Sequence, residues 1–300
     1  MPLTGICLRF VLLLVITAAL GVGLARAVGA ARPGDVVAYS SARGGSSDIF
    51  LLDVASGVEL RLTDTPTNEE WPRWSPDGRF LAYMADDTQS GGLNIFTLEL
   101  ATGAVRQLTH GAGVQAFPTW SPDGRQIAFS AGTDLNDTDI QILDLASGQI
   151  TRLPRTAVHE RVSSWSGDVL LFSANGGGLA VFRLYRVNSD GRAFTSLPFG
   201  GAVDLNPVWS PDGQWFAFQA LRDQDYEIVV RSADGRALRQ LTDNGADDFS
   251  PMWSPDGQRL VFIRLTPEAG YEVYILQADG SGARRLTFNS FRENTPAFMP

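Results

Sequence analysis

The chain has 300 residues, of which 44% are hydrophobic and 19% are charged, a composition that is typical of globular proteins and excludes an intrinsically disordered one. Its net charge of -9 argues against nucleic acid or an anionic membrane surface as the main partner. The 31 glycines and 16 prolines indicate a chain with many tight turns.

The N-terminal segment has the pattern of an export signal. Arg9 precedes an apolar run over residues 10–20, and a small-residue cleavage site, Ala-Arg-Ala, occupies residues 25–27. We expect residues 1–27 to be a signal peptide, residues 28–34 to be a short linker, and the mature protein to be periplasmic or secreted. The alternative is an uncleaved membrane anchor, although the apolar run is shorter than the roughly 20 residues that a spanning helix needs.

The clearest feature of the remaining chain is an aromatic residue that recurs at steps of 46, 45, 44, 44 and 45 residues. A period of this length matches the four-stranded blade of a β-propeller. We expect these aromatic side chains to form the structural core of the repeat and not a binding groove. They are Trp74, Trp120, Trp165, Trp209, Trp253 and Phe298.

The second repeat shows how each unit divides into four strands. Residues 115–121 form the predicted first strand, and the turn "SPDG" follows it, in which proline presets the backbone angle and glycine ends the turn without steric cost. Residues 126–130 are nearly all apolar and predict a buried second strand. Residues 140–145 and 149–154 then predict a third strand and an outer, half-exposed fourth strand.

The two ends of the chain are incomplete units. The segments "VVAYSS", "DIFLLD" and "ELRLTD" are second, third and fourth strands without a first, and residues 293–300 are a first strand alone. The sequence therefore predicts an all-β fold, a six-bladed β-propeller of four-stranded blades over residues 35–300, closed by pairing the C-terminal strand with the three N-terminal strands. The predicted blades are residues 35–64 plus 292–300, 69–109, 115–153, 160–197, 204–242 and 248–287.

The fourth repeat is irregular. Its segment "VSSWSGDVLLF" lacks the proline before Trp165 and has a shorter turn, and a glycine-rich connection follows at residues 176–178. This pattern indicates either a shortened hairpin or a rim loop that a partner uses.

Several of these segments carry a family resemblance. "WSPDGRFLAY" and "WSPDGRQIAFS", each with "LT" ending the preceding unit, and "WSPDGQWFAF" resemble the WD-repeat-like propeller repeats of the TolB family. The resemblance covers essentially all of residues 35–300. Because TolB is a periplasmic protein of the Tol–Pal envelope system, the resemblance implies a binding or scaffolding role at the cell envelope. TolB-like proteins carry an α/β domain before the propeller, whereas the strand pattern here begins at about residue 35, right after the predicted signal.

The sequence offers no pattern that is typical of catalysis. It has no G-x-S-x-G elbow, P-loop or dinucleotide fingerprint. His110 and His159 are expected to be solvent-facing loop residues, and two histidines are too few for a histidine-based metal site. The acidic run over residues 133–140 lacks the glycine and distal glutamate of an EF-hand loop, so we expect turn capping there. We predict no catalytic residue, no metal ligand and no cofactor.

One repeated polar position remains. A carboxylate or, in one repeat, a glutamine precedes each key aromatic by five residues. Each of these residues is predicted to open an innermost strand. Together they would form an acidic ring at the mouth of the channel that attracts basic side chains or a cation such as Ca²⁺. The alternative is that each carboxylate accepts hydrogen bonds from a neighbouring blade and is a structural tie. The ring consists of Glu69, Gln115, Glu160, Asp204, Asp248 and Glu293.

These observations predict an exported, non-catalytic, monomeric TolB-like propeller that binds or scaffolds a protein or glycan partner at the cell envelope. We expect no nucleic acid partner, and membrane contact only through an uncleaved N-terminal anchor. Two alternatives stay open. One is a carbohydrate-active propeller enzyme of lyase or glycosidase type that uses channel carboxylates, and the other is an accessory propeller for a separately encoded peptidase.

Overall fold

The structure is a computed structural model that describes residues 32–154, 159–175, 181–197, 203–268 and 270–300. The predicted signal peptide at residues 1–27 and the glycine-rich connection at residues 176–178 lie outside the described residues. The described residues form 24 β-strands and no α-helix. Accordingly, no helix among them is long and apolar enough to cross a membrane.

Six strands contact one another in cyclic order and are called the inner strands below. Each carries one of the key aromatic residues at or next to its C-terminal end. They are β4 (Glu69–Trp74), β8 (Val114–Trp120), β12 (His159–Ser166), β16 (Asp204–Trp209), β20 (Asp248–Trp253) and β24 (Glu293–Phe298).

The remaining strands lie progressively further out, each antiparallel to its neighbour. The second strands are β1 (Val36–Ser41), β5 (Phe80–Asp87), β9 (Gln126–Gly132), β13 (Val169–Asn175), β17 (Trp215–Arg222) and β21 (Arg259–Thr266). The third strands are β2 (Asp48–Asp53), β6 (Gly92–Glu99), β10 (Thr138–Asp144), β14 (Phe182–Asn188), β18 (Asp225–Ser232) and β22 (Gly270–Gln277). The outer strands are β3 (Glu59–Arg61), β7 (Val105–Gln107), β11 (Ile150–Arg152), β15 (Thr195–Leu197), β19 (Leu238–Gln240) and β23 (Arg284–Arg285).

The all-β propeller class is confirmed, but the prediction of six separate four-stranded blades is wrong. Four blades are separate four-stranded sheets, with strand orders β24-β1-β2-β3, β12-β13-β14-β15, β16-β17-β18-β19 and β20-β21-β22-β23. The strands β4 to β11 instead belong to one eight-stranded sheet, because β6 and β8 pair in parallel where Leu93 meets Val114.

Glycine is the physical reason for this junction. The Leu93 amide donates to the Gly113 carbonyl at 3.0 Å, so the two backbones are in direct contact. A Cβ atom on Gly92 would lie 2.2 Å from the Gly111 carbonyl oxygen, a distance that no side chain tolerates. The absence of a side chain at Gly92 therefore allows the two strands to pair.

The two ends of the chain meet in one sheet. Strand β24 pairs antiparallel with β1, with Ser41 opposite Glu293 and Val37 opposite Phe298. Beyond the strand, the Gly34 amide donates to the Met299 carbonyl at 2.9 Å, and the Met299 amide donates to the Val36 carbonyl at the same distance. The C-terminal strand therefore covers what would otherwise be an open edge of β1.

The core lies between neighbouring sheets and is built from the repeated second strands. Their central aromatic side chains are between 0% and 3% exposed, and the residues that precede them are small or aliphatic and also buried. This alternation of large and small side chains allows adjacent sheets to pack closely. The aromatic residues are Tyr39, Tyr83, Phe129, Phe172, Phe218 and Phe262.

Two of the key aromatics of the inner strands, Trp74 and Trp120, join successive repeats. Trp74 donates its indole Nε1–H to the Ala297 carbonyl, and Trp120 donates to the Arg73 carbonyl, both at 3.0 Å. Trp74, Trp120, Trp253 and Phe298 are buried, whereas Trp165 and Trp209 are partly buried. Trp165 belongs to the irregular repeat, and its indole bonds to the Gly167 carbonyl of its own turn.

Candidate functional site

The inner strands surround an axial cavity of about 210 Å³. It lies at the end where these strands begin, because Leu205, Phe249 and Asn294 are each the second residue of an inner strand. Arg292, which also lines it, directly precedes β24. The remaining lining residues are Trp71, Arg161, Asn206, Gln219, Ser250, Ile263, Tyr271 and Thr295.

A strained backbone position places several of these side chains. In five inner strands the residue before the proline has a positive φ, between 44° and 62°, although a residue in this position is usually extended. The pairing register shifts at the same place in each of these strands, which is the mark of a β-bulge. A bulge changes the direction of a side chain, and four of the five residues line the axial cavity. The five are Trp71, Phe117, Asn206, Ser250 and Thr295.

Aromatic side chains form part of the cavity wall, and one of them packs against another aromatic residue outside the lining. Trp71 lines the cavity and meets Phe117 edge to face, with ring centroids 4.7 Å apart. Phe249 packs against Tyr271 on another part of the wall, with centroids 6.1 Å apart. The cavity therefore offers apolar surface on more than one side.

The charged part of the wall is cationic. Arg161 and Arg292 line the cavity, and no carboxylate is among its lining residues. The Arg161 guanidinium lies over the rings of Phe117 and Phe182, at 5.4 and 5.2 Å from their centroids, and burial lowers its pKa. Arg292 is exposed and lies over the Tyr271 ring at 4.9 Å.

The six residues of the predicted acidic ring are at the beginnings of the inner strands, as expected from the repeat, but five of them are buried. Glu69, Glu160, Asp204, Asp248 and Glu293 are between 0% and 3% exposed. None of them lines the axial cavity. Gln115 is partly buried and lines a different cavity, which it shares with His110.

Two of these carboxylates are paired with arginines. Asp248 accepts two hydrogen bonds from Arg264, at 2.7 and 2.8 Å, and a third from the Asn244 amide at 3.0 Å. Glu293 accepts from Asn289 at 2.7 Å and from Arg43 at 3.1 Å. Their charges are therefore largely neutralised inside the protein.

The other three carboxylates differ in their contacts. Glu69 accepts hydrogen bonds from the hydroxyls of Thr65 and Thr67. Glu160 accepts a hydrogen bond from the Ile140 amide at 3.4 Å. Asp204 has one buried oxygen, Oδ1, without a hydrogen-bond partner.

Burial is the main influence on the pKa of three ring members, and it raises the pKa of Glu69 against the effect of its threonine partners. It raises the pKa of Asp204 to about 6, although Arg222 and Arg183 act in the opposite direction. It raises the pKa of Glu293 to about 7 against the effect of Asn289, Arg43 and Ser41. Both groups would therefore titrate near neutral pH, but neither faces the cavity where a ligand would meet it.

Sequence reasoning missed a second repeated polar contact, which explains the "LT" that ends four of the six units. The threonine hydroxyl accepts a hydrogen bond from a third-strand amide at 2.8 to 2.9 Å in four repeats. In the last two of these repeats it also donates to a buried glutamate that begins or nearly begins the third strand, Glu227 or Glu272. The signal was present as an acidic residue or, in one repeat, Asn94 at a constant distance before each "LT", and its role is structural.

The two histidines differ from each other. His110 is exposed, as predicted, whereas the prediction that His159 faces solvent is wrong. His159 opens β12 at 2% exposure, contacts Phe182 edge to face, and accepts a hydrogen bond from Arg161 Nε at 2.9 Å. Burial lowers the pKa of His159 to about 4, so it is neutral at physiological pH. No group of three His, Cys, Asp or Glu side chains within the described ranges is arranged to hold a metal ion.

Comparison with known proteins agrees with this architecture. The family model described as the TolB beta propeller domain matches residues 26–204 and 199–300. The chain belongs to this family. No curated protein matches it.

Among solved structures, TolB from Acinetobacter baumannii is similar over 92% of this chain and 69% of its own, with a TM-score of 0.77 and 21% identity. The putative TolB from Agrobacterium tumefaciens is similar over 84% of this chain and 88% of its own, with a TM-score of 0.70 and 22% identity. Hydrazine synthase from Kuenenia stuttgartiensis is similar over 90% of this chain and 47% of its own, with a TM-score of 0.72 and 15% identity. Because an enzyme is among these structures, the TolB propeller fold alone does not decide between binding and catalysis.

Proposed function

We propose that the protein is an exported, non-catalytic TolB-like propeller that binds a protein partner at the cell envelope. The observation that carries this proposal is a pair of exposed phenylalanines in the loop that leads to β24. Phe288 is 77% exposed and Phe291 is 42% exposed, in the loop between β23 and β24 that also carries Arg292. Aromatic and arginine side chains are the residue types that contribute most to protein–protein binding energy.

The loop that carries them is held in place by its own contacts. The Arg285 guanidinium lies over the Phe288 ring at 4.9 Å. The Phe291 amide donates to the Asn289 side-chain oxygen at 2.8 Å, and Asn289 itself donates to Glu293. A loop fixed in this way loses little conformational entropy when a partner binds. We call Phe288, Phe291 and Arg292 the rim cluster.

A non-catalytic role is the better proposal because the carboxylates with raised pKa do not face the cavity. A glycosidase needs two carboxyl groups on either side of a bound substrate. Glu69, Asp204 and Glu293 are the members of the predicted ring whose pKa is raised, and all three lie outside the cavity lining.

Binding is tested by crosslinking the purified protein to envelope extracts and identifying the captured proteins. We expect the double variant Phe288→Ala/Phe291→Ala to lose at least 10-fold of the specific capture. The matched control is Val58→Ala/Val105→Ala, which removes two side chains that are 65% and 55% exposed near the turns at the opposite ends of the strands. Equal capture by both double variants would refute a partner-binding role for the rim cluster.

Export is proposed from the signal-like segment at residues 1–27 and from family membership. Fractionation of cells that express the full chain should place it outside the cytoplasm, with a mass that shows whether residues 1–27 have been removed. A chain that stays in the cytoplasmic fraction at full length would contradict export.

A further inference from the structure

The axial cavity has a charge opposite to that of the protein as a whole. The chain carries a net charge of -9, yet the charged residues that line the cavity are two arginines, Arg161 and Arg292. The carboxylates nearest in sequence to this end of the inner strands are buried, and two of them are paired with other arginines. The cavity is therefore a local cationic site in an acidic protein.

Arg161 has no counterion among the residues that the structure describes. Its Nε donates to His159, which is neutral because burial lowers its pKa to about 4, and its guanidinium otherwise contacts the aromatic rings of Phe117 and Phe182. Two other partly buried arginines, Arg43 and Arg264, have carboxylate partners at 2.6 to 3.1 Å, whereas Arg73 resembles Arg161 in having no ion pair within the described part of the chain. A desolvated arginine without an anion is costly, and a bound anion would offset that cost.

A second, independent feature of the same cavity is an unsatisfied hydroxyl. Thr295 lines the cavity and is 3% exposed, and its Oγ1 has no hydrogen-bond partner. Thr295 also has a positive φ of 44°, an unfavourable conformation for a β-branched residue. Buried polar groups in proteins are almost always hydrogen-bonded, and a strained residue with an unpaired hydroxyl is a common feature of ligand sites.

Neighbouring amides add further hydrogen-bonding capacity. The Gln219 side-chain oxygen accepts from Asn206 Nδ2 at 2.9 Å and from the Ser250 amide at 3.0 Å. This arrangement fixes the orientation of the Gln219 amide and assigns its oxygen to the protein. Its NH₂ group is thereby available as a donor to a bound molecule.

We propose that the axial cavity binds a small organic carboxylate, whose anionic group pairs with Arg161 and whose polar edge accepts a hydrogen bond from Thr295. The body of the ligand lies against Trp71, Phe249 and Tyr271. A cavity of about 210 Å³ has room for a group the size of one sugar ring or one amino acid. A uronic acid and an acidic amino acid share this chemistry. The proposal stands on the cavity alone and does not require the rim cluster to bind a protein.

The first test compares each carboxylate with its neutral amide. Binding of glucuronate and of glucuronamide, and of N-acetyl-aspartate and of its neutral diamide N-acetyl-asparaginamide, is measured by calorimetric titration of the wild-type protein at low salt. We expect the carboxylate of at least one pair to bind 10-fold or more tightly than its amide, and the affinity to fall as salt is added. The pair that responds identifies the source of the carboxylate. Equal or absent binding of acid and amide in both pairs would overturn the proposal.

The second test locates the site. Arg161→Gln should reduce the affinity for the responding carboxylate at least 10-fold and leave that for the amide unchanged, and Arg161→Lys should fall between. Arg236→Gln is the matched control, since the Arg236 side chain is 89% exposed in a distant turn. Unchanged carboxylate binding in Arg161→Gln would overturn the proposal. If Arg161→Gln does not fold, Thr295→Val provides the same test, with an expected loss of 3-fold or more.

The same titration with CaCl₂ tests the cation site that the sequence predicted at the acidic ring. Calcium binding that is undiminished when Glu69, Asp204 and Asp248 are neutralised together would refute that prediction. Loss of partner capture in the rim-cluster variant with unchanged carboxylate binding would separate the cavity from the partner-binding surface.

Discussion

Removing the side chain of Phe298 tests the pairing of the two chain ends. Phe298 is 6% exposed in β24, opposite Val37 of β1, and packs with Val37 and Phe50 of the same sheet and with Val261 of the next sheet. Replacing a buried phenylalanine with alanine costs about 3 to 5 kcal/mol of unfolding free energy. For a domain of this size that loss lowers the melting temperature by roughly 6 to 20 °C.

The measurement is urea unfolding of Phe298→Ala, followed by tryptophan fluorescence and circular dichroism. Val105→Ala is the matched control, because Val105 is 55% exposed in β7 and its truncation should change the unfolding free energy by less than about 0.5 kcal/mol. Deleting residues 293–300 is the stronger perturbation. It removes Phe298 and Met299 together, opens the edge of β1, and leaves the Trp74 indole without the Ala297 carbonyl.

Each of the two buried side chains contributes about 1.5 to 3 kcal/mol by burial alone, and the edge adds to this. The total approaches the whole stability of an average domain, about 5 to 15 kcal/mol, so we expect the truncated chain not to fold cooperatively. A truncated protein that unfolds at the same urea concentration as the full chain would show that the ends do not hold the sheet together.

Three further predictions follow from single contacts. Burial raises the pKa of Glu293 from 4.5 to about 7, so its contribution to stability is complete below pH 4.5 and is lost as the pH rises through 7. This loss of unfolding free energy is at most about 3 kcal/mol, and Glu293→Gln should remove it. The measurement is urea unfolding of both proteins at pH 4.5 and pH 8. Trp74→Phe should lower the unfolding free energy by about 1 to 2 kcal/mol more than Trp253→Phe, because the Trp74 indole is hydrogen-bonded and the Trp253 indole is not. Gly92→Ala should destabilise by more than about 1 kcal/mol, whereas Gly111→Ala, where the nearest atom belongs to the Gln115 side chain, should cost less when both melting temperatures are measured.

The repeat could be predicted from the sequence because its key residues recur at constant spacing. Constant steps between key aromatics, one turn motif and an incomplete unit at each end are enough to predict an all-β propeller in which β24 pairs with β1. The fusion of eight strands into one sheet could not be predicted in the same way. It depends on the contact between Leu93 and Val114, which arises because Gly92 lies against the backbone of residues 111–113.

The site was harder to predict because a sequence shows which residues repeat but not which way their side chains point. A carboxylate opens the inner strand in five of six units. A residue before proline also recurs in five of six units, and in four of these it lines the cavity. The carboxylates were predicted to be the binding site because charged residues can be recognised in the sequence. The positive φ of Trp71 or Thr295 cannot be read from the sequence, because a residue before proline is ordinarily extended.

The structure therefore shows a positively charged axial cavity where the sequence predicted a negatively charged one. Asp248 and Glu293 stabilise the interior by accepting hydrogen bonds from Arg264 and Arg43, and this pairing leaves those charges with little influence on the cavity. Arg161 belongs to the one inner strand without a proline, and it lines the cavity with no carboxylate beside it. The irregular repeat thus supplies a cavity arginine that has no counterion within the described residues, which is why a departure from the repeat is more informative about binding here than the repeat itself.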